Sequence, residues 1–102
     1  NERCKELQIW DYKTNKDIKD HNPYGSKLIN GLEHLDDCEM TKFSLQLGIY
    51  KHLIERNTSI SVGNCYICWL NPDKNENYVA IPVWDLRAEV DFIMKELENR
   101  IM

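Results

Sequence analysis

Two short clusters in this chain carry side chains able to do chemistry. Asp11-Tyr12-Lys13 sets a carboxylate and an ammonium two residues apart, and Gln46 and Tyr50 follow downstream, four residues apart. On a strand, residues i and i+2 share a face, so Asp11 and Lys13 would lie side by side. On a helix, i and i+4 are neighbours, so Gln46 and Tyr50 would project together. A carboxylate oxygen can hold Mg²⁺ or Mn²⁺ while an adjacent ammonium stabilises charge or helps activate water, which is what metal-assisted phosphodiester hydrolysis needs. An amide and a phenol on one helix face can meet a phosphate or an unstacked base. Each cluster alone also has a plain reading: a surface ion pair for the first, a core Tyr50 with Gln46 at its boundary for the second. One carboxylate is too few protein ligands for a durable site, so at least one more acidic group is required.

Elements able to position these clusters are legible in the hydrophobic pattern. Residues 6–13 alternate with period two, placing Leu7, Ile9, Asp11 and Lys13 on one face and Gln8, Trp10 and Tyr12 on the other, which predicts a strand. Residues 14–27 are polar and carry the turn signal Asn22-Pro23-Tyr24-Gly25, so they read as an excursion. From Thr41 to about Arg56, Phe43, Leu47, Tyr50 and Ile54 recur at helical spacing, with Leu53 widening the stripe and Asn57-Thr58-Ser59 as the stop. Residues 60–70 read as a largely buried strand with Gly63 marking a bulge. A polar turn over 71–77 leads to a returning strand, Tyr78 to Val83, in an antiparallel hairpin. Asp85 is the expected N-cap of a last helix whose stripe of Leu86, Val90, Ile93, Met94, Leu97 and Ile101 reads as core packing. Strand, helix and strand in succession normally make a right-handed parallel crossover, so the class is α/β.

Composition bounds the possibilities. With 102 residues the chain is one domain or part of one, and 42% hydrophobic residues exclude a disordered chain. The longest apolar run, Cys65 to Leu70, is far short of a membrane span. The start, Asn1-Glu2-Arg3-Cys4, lacks a secretory profile and an initiator Met, and reads as a processed chain or an excised piece. A net charge of −4 argues against coating nucleic acid through bulk charge, yet Arg3, Lys5, Lys13, Lys16, Lys19 and Lys27 concentrate positive charge in the first third. Cysteines 4, 38, 65 and 68 are irregularly spaced, which fits a reducing, intracellular (cytoplasmic) setting better than a disulfide framework. Cys65 and Cys68 could be half a zinc or iron-sulfur site, but positions three apart on a regular strand point to opposite faces, which favours buried core thiols.

Taken together, Ile9-Trp10-Asp11-Tyr12-Lys13-Thr14 on a strand and Leu45-Gln46-Leu47-Gly48-Ile49-Tyr50 on a helix resemble the RecB-like branch of the PD-(D/E)xK nucleases, whose distinguishing mark is Gln-x-x-x-Tyr. The resemblance runs from about Leu7 to Asn99, and Gly31-Leu32 through Leu45-Gln46-Leu47 looks like viral or phage-type members. It implies a restriction-endonuclease-like mixed sheet flanked by helices, and a metal-dependent deoxyribonuclease, often an exonuclease acting on DNA ends or single strands with Mg²⁺ or Mn²⁺. Carried over by residue, Asp11 would be the second metal-binding acid, the backbone carbonyl of Tyr12 a further metal ligand, and Lys13 the catalytic lysine. Gln46 and Tyr50 would act in the active site or on the adjacent DNA strand.

One departure matters. The family's first metal-binding Asp lies on the preceding strand, commonly more than ten residues before the Asp-x-Lys pair, and the upstream helix of the family is absent here too. Glu6, five residues before Asp11, would point to the opposite face and lie roughly 17 Å away. The chain therefore reads as the C-terminal part of a nuclease core, expected to bind metal weakly and cleave poorly by itself. Lys16, Lys19 and Lys27 could track a nucleic-acid backbone, with Tyr24 stacking on a base; otherwise this is a solvated loop. His21 reads as a solvated loop residue, and His34 and His52 lack metal-ligand spacing. The alternative to an enzyme is a catalytically incomplete nuclease-like module that binds nucleic acid or a protein partner.

Overall fold

A computed structural model describes residues 6–71 and 78–101. The elements are β1 (Glu6–Lys13), α1 (Glu39–Asn57), β2 (Ser61–Trp69), β3 (Val79–Pro82) and α2 (Arg87–Ile101). The sheet has the order β1-β2-β3, with β1 parallel to β2 and β2 antiparallel to β3. This is a small α/β domain with a three-stranded mixed sheet and two helices. The turn expected over residues 72–77 lies outside the described residues.

The expected bulge controls which face each side chain takes. Leu7 pairs with Val62 but Ile9 pairs with Cys65, so Gly63 and Asn64 together oppose Gln8. Glycine suits this point, because a Cβ at position 63 would stand 3.1 Å from Glu6 Oε2. The extra residue brings Cys65 back to the face of Val62, and the register then sets Ile67 beside Asp11 and Trp69 beside Lys13. Cys68, paired with Tyr12, takes the opposite face from Cys65. Val62, Cys65 and Ile67 form the core with Cys38, Met40 and Leu47. On the other face Trp10 stacks on Tyr66 with ring centroids 4.6 Å apart, and Trp10 and Tyr12 are exposed.

The helix α1 begins two residues before the expected Thr41. Of the expected stripe, Leu47 is buried and Phe43 and Ile54 pack against the core, while the buried face turns away from Tyr50 and Leu53. Its buried residues are Met40, Thr41, Ser44, Leu45 and Leu47, whereas Tyr50 and Leu53 are exposed. The correction has a cause. Because α1 is held between the sheet and α2, it buries a wide arc that includes two hydroxyls, and both have partners: Trp84 N–H donates to Ser44 Oγ at 3.1 Å, and Thr41 Oγ1 meets Cys38 Sγ at 3.2 Å. The stop at 57–59 operates through side chains, with Asn57 Nδ2 donating to the Leu53 carbonyl and Thr58 Oγ1 to that of Ile54.

The helix α2 packs on α1. Val90, buried, fits against Gly48, while Phe92 covers Gly31, whose φ of +98° favours glycine. Ion pairs His34–Glu89, His52–Asp91 and Arg56–Glu98 flank the seam. The stripe expected to be core is mostly not: only Val90 is buried, Ile93 and Met94 are half-buried and Leu97 is exposed, since α2 has one helix to lean on. Asp85 Oδ1 accepts the Arg87 N–H at 3.2 Å, serving as the expected cap just outside the helix. No helix among the described residues is long and apolar enough to cross a membrane.

Candidate active site

Asp11 and Lys13 lie on the α1 side of the sheet, at the end of β1. Period two puts both on the face that carries Leu7 and Ile9, and β1 is an edge strand, so the pair sits where an apolar sheet face opens. Lys13 Nζ stands 3.0 Å from Asp11 Oδ2, with the side chains 23% and 29% exposed. Asp11 Oδ2 is shielded from solvent, and among the described residues the Lys13 ammonium is the group that faces it. Lys13 Nζ also lies over the Phe43 ring, 4.6 Å from its centroid.

The Lys13 carbonyl accepts the Leu70 N–H at 2.8 Å, toward β2. Neighbouring carbonyls on a strand point in opposite directions, so the Tyr12 carbonyl projects from the open edge of β1.

Gln46 and Tyr50 form a pair of their own. Gln46 Nε2 donates to Tyr50 Oη at 3.1 Å, and Tyr50 is 45% exposed, which sets aside the reading of Tyr50 as core. Phe43, Gln46 and Tyr50 are three and four residues apart, so they occupy one side of α1. Phe43 marks the Lys13 end of β1, and α1 runs from there back toward the Glu6 end, where β2 begins. At 1.5 Å per residue, Gln46 and Tyr50 lie about 4.5 and 10 Å along the axis from Phe43, on the strip that begins beneath Lys13. Among the described residues neither hydrogen-bonds Asp11 or Lys13. Of the two clusters, the structure shows each as a local pair, and Phe43, which sequence reasoning took for core, is the α1 residue that it places against Lys13. Its spacing to Gln46 and Tyr50 was the available signal.

The excursion is more tightly held than a solvated loop. Trp69 Nε1 donates to the Asn15 carbonyl at 2.6 Å, and Ile18 packs against the core. Lys19 N–H donates to Glu39 Oε1 and the Lys19 carbonyl accepts the Met40 N–H, both at 3.0 Å, tying the strap to the start of α1. Asn22 N–H and Nδ2 donate to Asp36 Oδ2 and the Asp37 carbonyl. Lys16, Lys19 and Tyr24 are exposed, Tyr24 by 92%. Lys27 differs: its ammonium is committed to Asp36, and the hydrogen bond from it holds the Asp36 carboxyl below its ordinary range. His21 is exposed beside Asp20.

The best-formed concavity lies elsewhere. A cavity of about 210 Å³ between α1, β2 and the start of α2 is lined by Lys51, His52, Glu55, Cys65, Asp85 and Asp91 among others, and by none of Asp11, Lys13, Gln46 or Tyr50. Glu55 accepts the Val62 N–H and Asp85 that of Arg87, Asp91 Oδ1 lies 3.7 Å from His52 Nδ1, and burial pushes the Cys65 thiol up, away from the reactive thiolate. These are the marks of an inter-element junction. Among the described residues no three His, Cys, Asp or Glu side chains converge as a metal cage would. At the end of β1 one carboxylate, Asp11, and the Tyr12 carbonyl are the oxygens at hand, fewer than a protein-built cation site uses. That suffices only where water and substrate oxygens complete the shell.

Comparison with protein-family models, with curated proteins and with solved structures gives no match. The class that fold and site define is accordingly a small α/β domain carrying a carboxylate-ammonium pair at an open sheet edge.

Proposed function

We propose that this domain has a restriction-endonuclease-like core of the RecB-like PD-(D/E)xK type and takes part in divalent-metal-dependent hydrolysis of DNA, acting on ends or single strands as an exonuclease does. The observation that carries the reading is the Asp11–Lys13 pair, 3.0 Å apart on the α1 side of the sheet at the end of β1. Asp11 and the Tyr12 carbonyl would hold Mg²⁺ or Mn²⁺, which when bound supplies charge stabilisation at the phosphate and a more acidic water. Lys13 would stabilise negative charge beside the scissile phosphate. Gln46 and Tyr50, already paired, would place the strand along α1, and Lys16, Lys19 and Tyr24 would hold it further out. Hydrolysis gives the hydroxyl of water to phosphorus and its proton to the departing sugar oxygen.

A second reading is favoured by the shortage of protein oxygens itself: a nuclease-like module that binds nucleic acid or a protein partner without cutting. Release of nucleotides from linear DNA by the full-length protein in Mn²⁺, lost in Asp11→Asn and Lys13→Met, supports the hydrolase. Salt-sensitive DNA binding with no cleavage selects the binding module. Cleavage undiminished in Lys13→Met overturns the catalytic assignment.

A further inference from the structure

We infer that the sheet face turned away from α1 is a stacking platform for the unpaired bases of single-stranded DNA, an inference that rests on the reading of this protein as one that acts on DNA. Gln8, Trp10 and Tyr12 of β1, Tyr66 of β2, and Ala80 and Pro82 of β3 share that face by pleat and register, and none of them carries a charge. In a chain with 29% charged residues, such a face does not suit a partner held by ion pairs. Trp10 stacks on Tyr66, with ring centroids 4.6 Å and planes 26° apart. The indole N–H is satisfied within the strand, donating to Gln8 Oε1 at 3.1 Å. What is left for recognition is π-surface: Trp10 is 41% exposed and Tyr12, two residues on, 70%. Because Tyr66 stands on the β2 side, the other side of the indole looks toward the open edge of the sheet.

Bare π-surface suits nucleobases, every one of which has a π-face, and stacking of this kind tolerates any sequence. The uncharged face meets the neutral bases, and cations for the phosphates stand at its end. The pleat turns Lys13 to the α1 side while Tyr12 takes the outer one, and Lys16 is exposed just beyond. A single strand crossing the open edge of β1 therefore leaves its phosphates to Lys13 and Lys16 and lays its bases on Tyr12 and Trp10. Spacing selects the form of DNA. Side chains two apart on a strand are about 7 Å apart, roughly twice the step of about 3.4 Å between stacked bases, so the two rings receive bases drawn out of the stack and not successive bases of a duplex.

The test separates bases from phosphates. In metal-free buffer, the full-length protein is titrated into a labelled oligothymidylate, an abasic deoxyribose-phosphate strand of equal length and charge, and a blunt duplex, with binding read by fluorescence anisotropy. The oligothymidylate should bind about tenfold more tightly than the abasic strand, and more tightly than the duplex. Tyr12→Ala should raise Kd for the oligothymidylate about tenfold while Kd for the abasic strand stays within about twofold, and Tyr12→Phe should keep the original affinity. Tryptophan fluorescence should fall on binding in the unsubstituted protein and change little in Trp10→Phe, whose fold is checked by circular dichroism. Equal affinity for the base-bearing and abasic strands overturns the inference, as does a loss in Tyr12→Ala shared by both strands, or no binding to either. Self-association abolished by Tyr12→Ala assigns the face to a second copy and also overturns it. The hydrolase reading fails separately: base-dependent binding without cleavage in Mn²⁺ overturns the nuclease and keeps the platform.

Discussion

Replacing Gly48 by alanine sets two effects of opposite sign against each other within α1. In a helix interior, alanine is favoured over glycine by about 1 kcal/mol. Against that, the new Cβ would lie 2.8 Å from Val90 Cγ2, closer than real Cβ contacts come. Overpacking at such a contact costs about 1–3 kcal/mol. Val90 cannot give way easily: it is 3% exposed, and a β-branched residue in a helix is held to one preferred rotamer. The clash therefore outweighs the propensity gain. Gly48→Ala is expected to lose about 1 kcal/mol, lowering Tm by about 4–8 °C for a domain of this size. In a Val90→Ala background the obstacle is gone, and the same change should stabilise by about 0.5–1 kcal/mol. Thermal and urea unfolding of the four proteins, followed by far-UV circular dichroism, measures both signs. A higher Tm for Gly48→Ala with Val90 intact would refute the close docking of α2 on α1.

The docking of α2 also depends on pH. The hydrogen bond from His34 holds the Glu89 carboxyl below its ordinary range, and that from Arg56 does the same for Glu98. A carboxyl depressed in the folded state stabilises it above the unfolded pKa and loses that contribution as pH falls through the folded value. Unfolding across the acid range should show stability falling below the ordinary carboxylate region, with a shallower fall in Glu89→Gln; an unchanged slope contradicts the His34–Glu89 pairing. Should DNA bind along the strap, Lys16→Ala and Lys19→Ala would each reduce the salt dependence of single-strand affinity by about 0.7 in log–log slope. Lys27→Ala, its charge committed to Asp36, would change it little, and an equal effect from all three contradicts that division. Tyr50→Phe removes an exposed hydroxyl whose one hydrogen bond is to Gln46, so unfolding should move by less than about 0.5 kcal/mol while DNA cleavage or binding falls. Loss of stability without loss of function would assign Tyr50 to packing.

Period-two alternation made Glu6–Lys13 legible in the sequence, since each side chain's face follows from the pleat. The same rule put Asp11 beside Lys13, and helical spacing put Gln46 beside Tyr50, because both pairs are local. What was hidden depends on contacts distant in sequence. Ser44 looks like polar surface until Trp84, 40 residues on, supplies its partner, so the buried face of α1 was misplaced around Tyr50 and Leu53. The strap read as a free loop because the Trp69 indole and Glu39 that hold it lie 54 and 20 residues from their partners. Lys27 gave no sign of its tie to Asp36. Phe43 read as one more core aromatic, for its place over Lys13 exists only once α1 packs on β1.

Paramagnetic broadening by Mn²⁺ in isotopically labelled protein tests most directly whether the end of β1 is the cation site. Signals of Asp11, Tyr12 and Lys13 and of the Phe43 ring should broaden first at low Mn²⁺, and Asp11→Asn should abolish that pattern. Broadening centred instead on Glu55, Asp85 and Asp91, or left unchanged by Asp11→Asn, would contradict it.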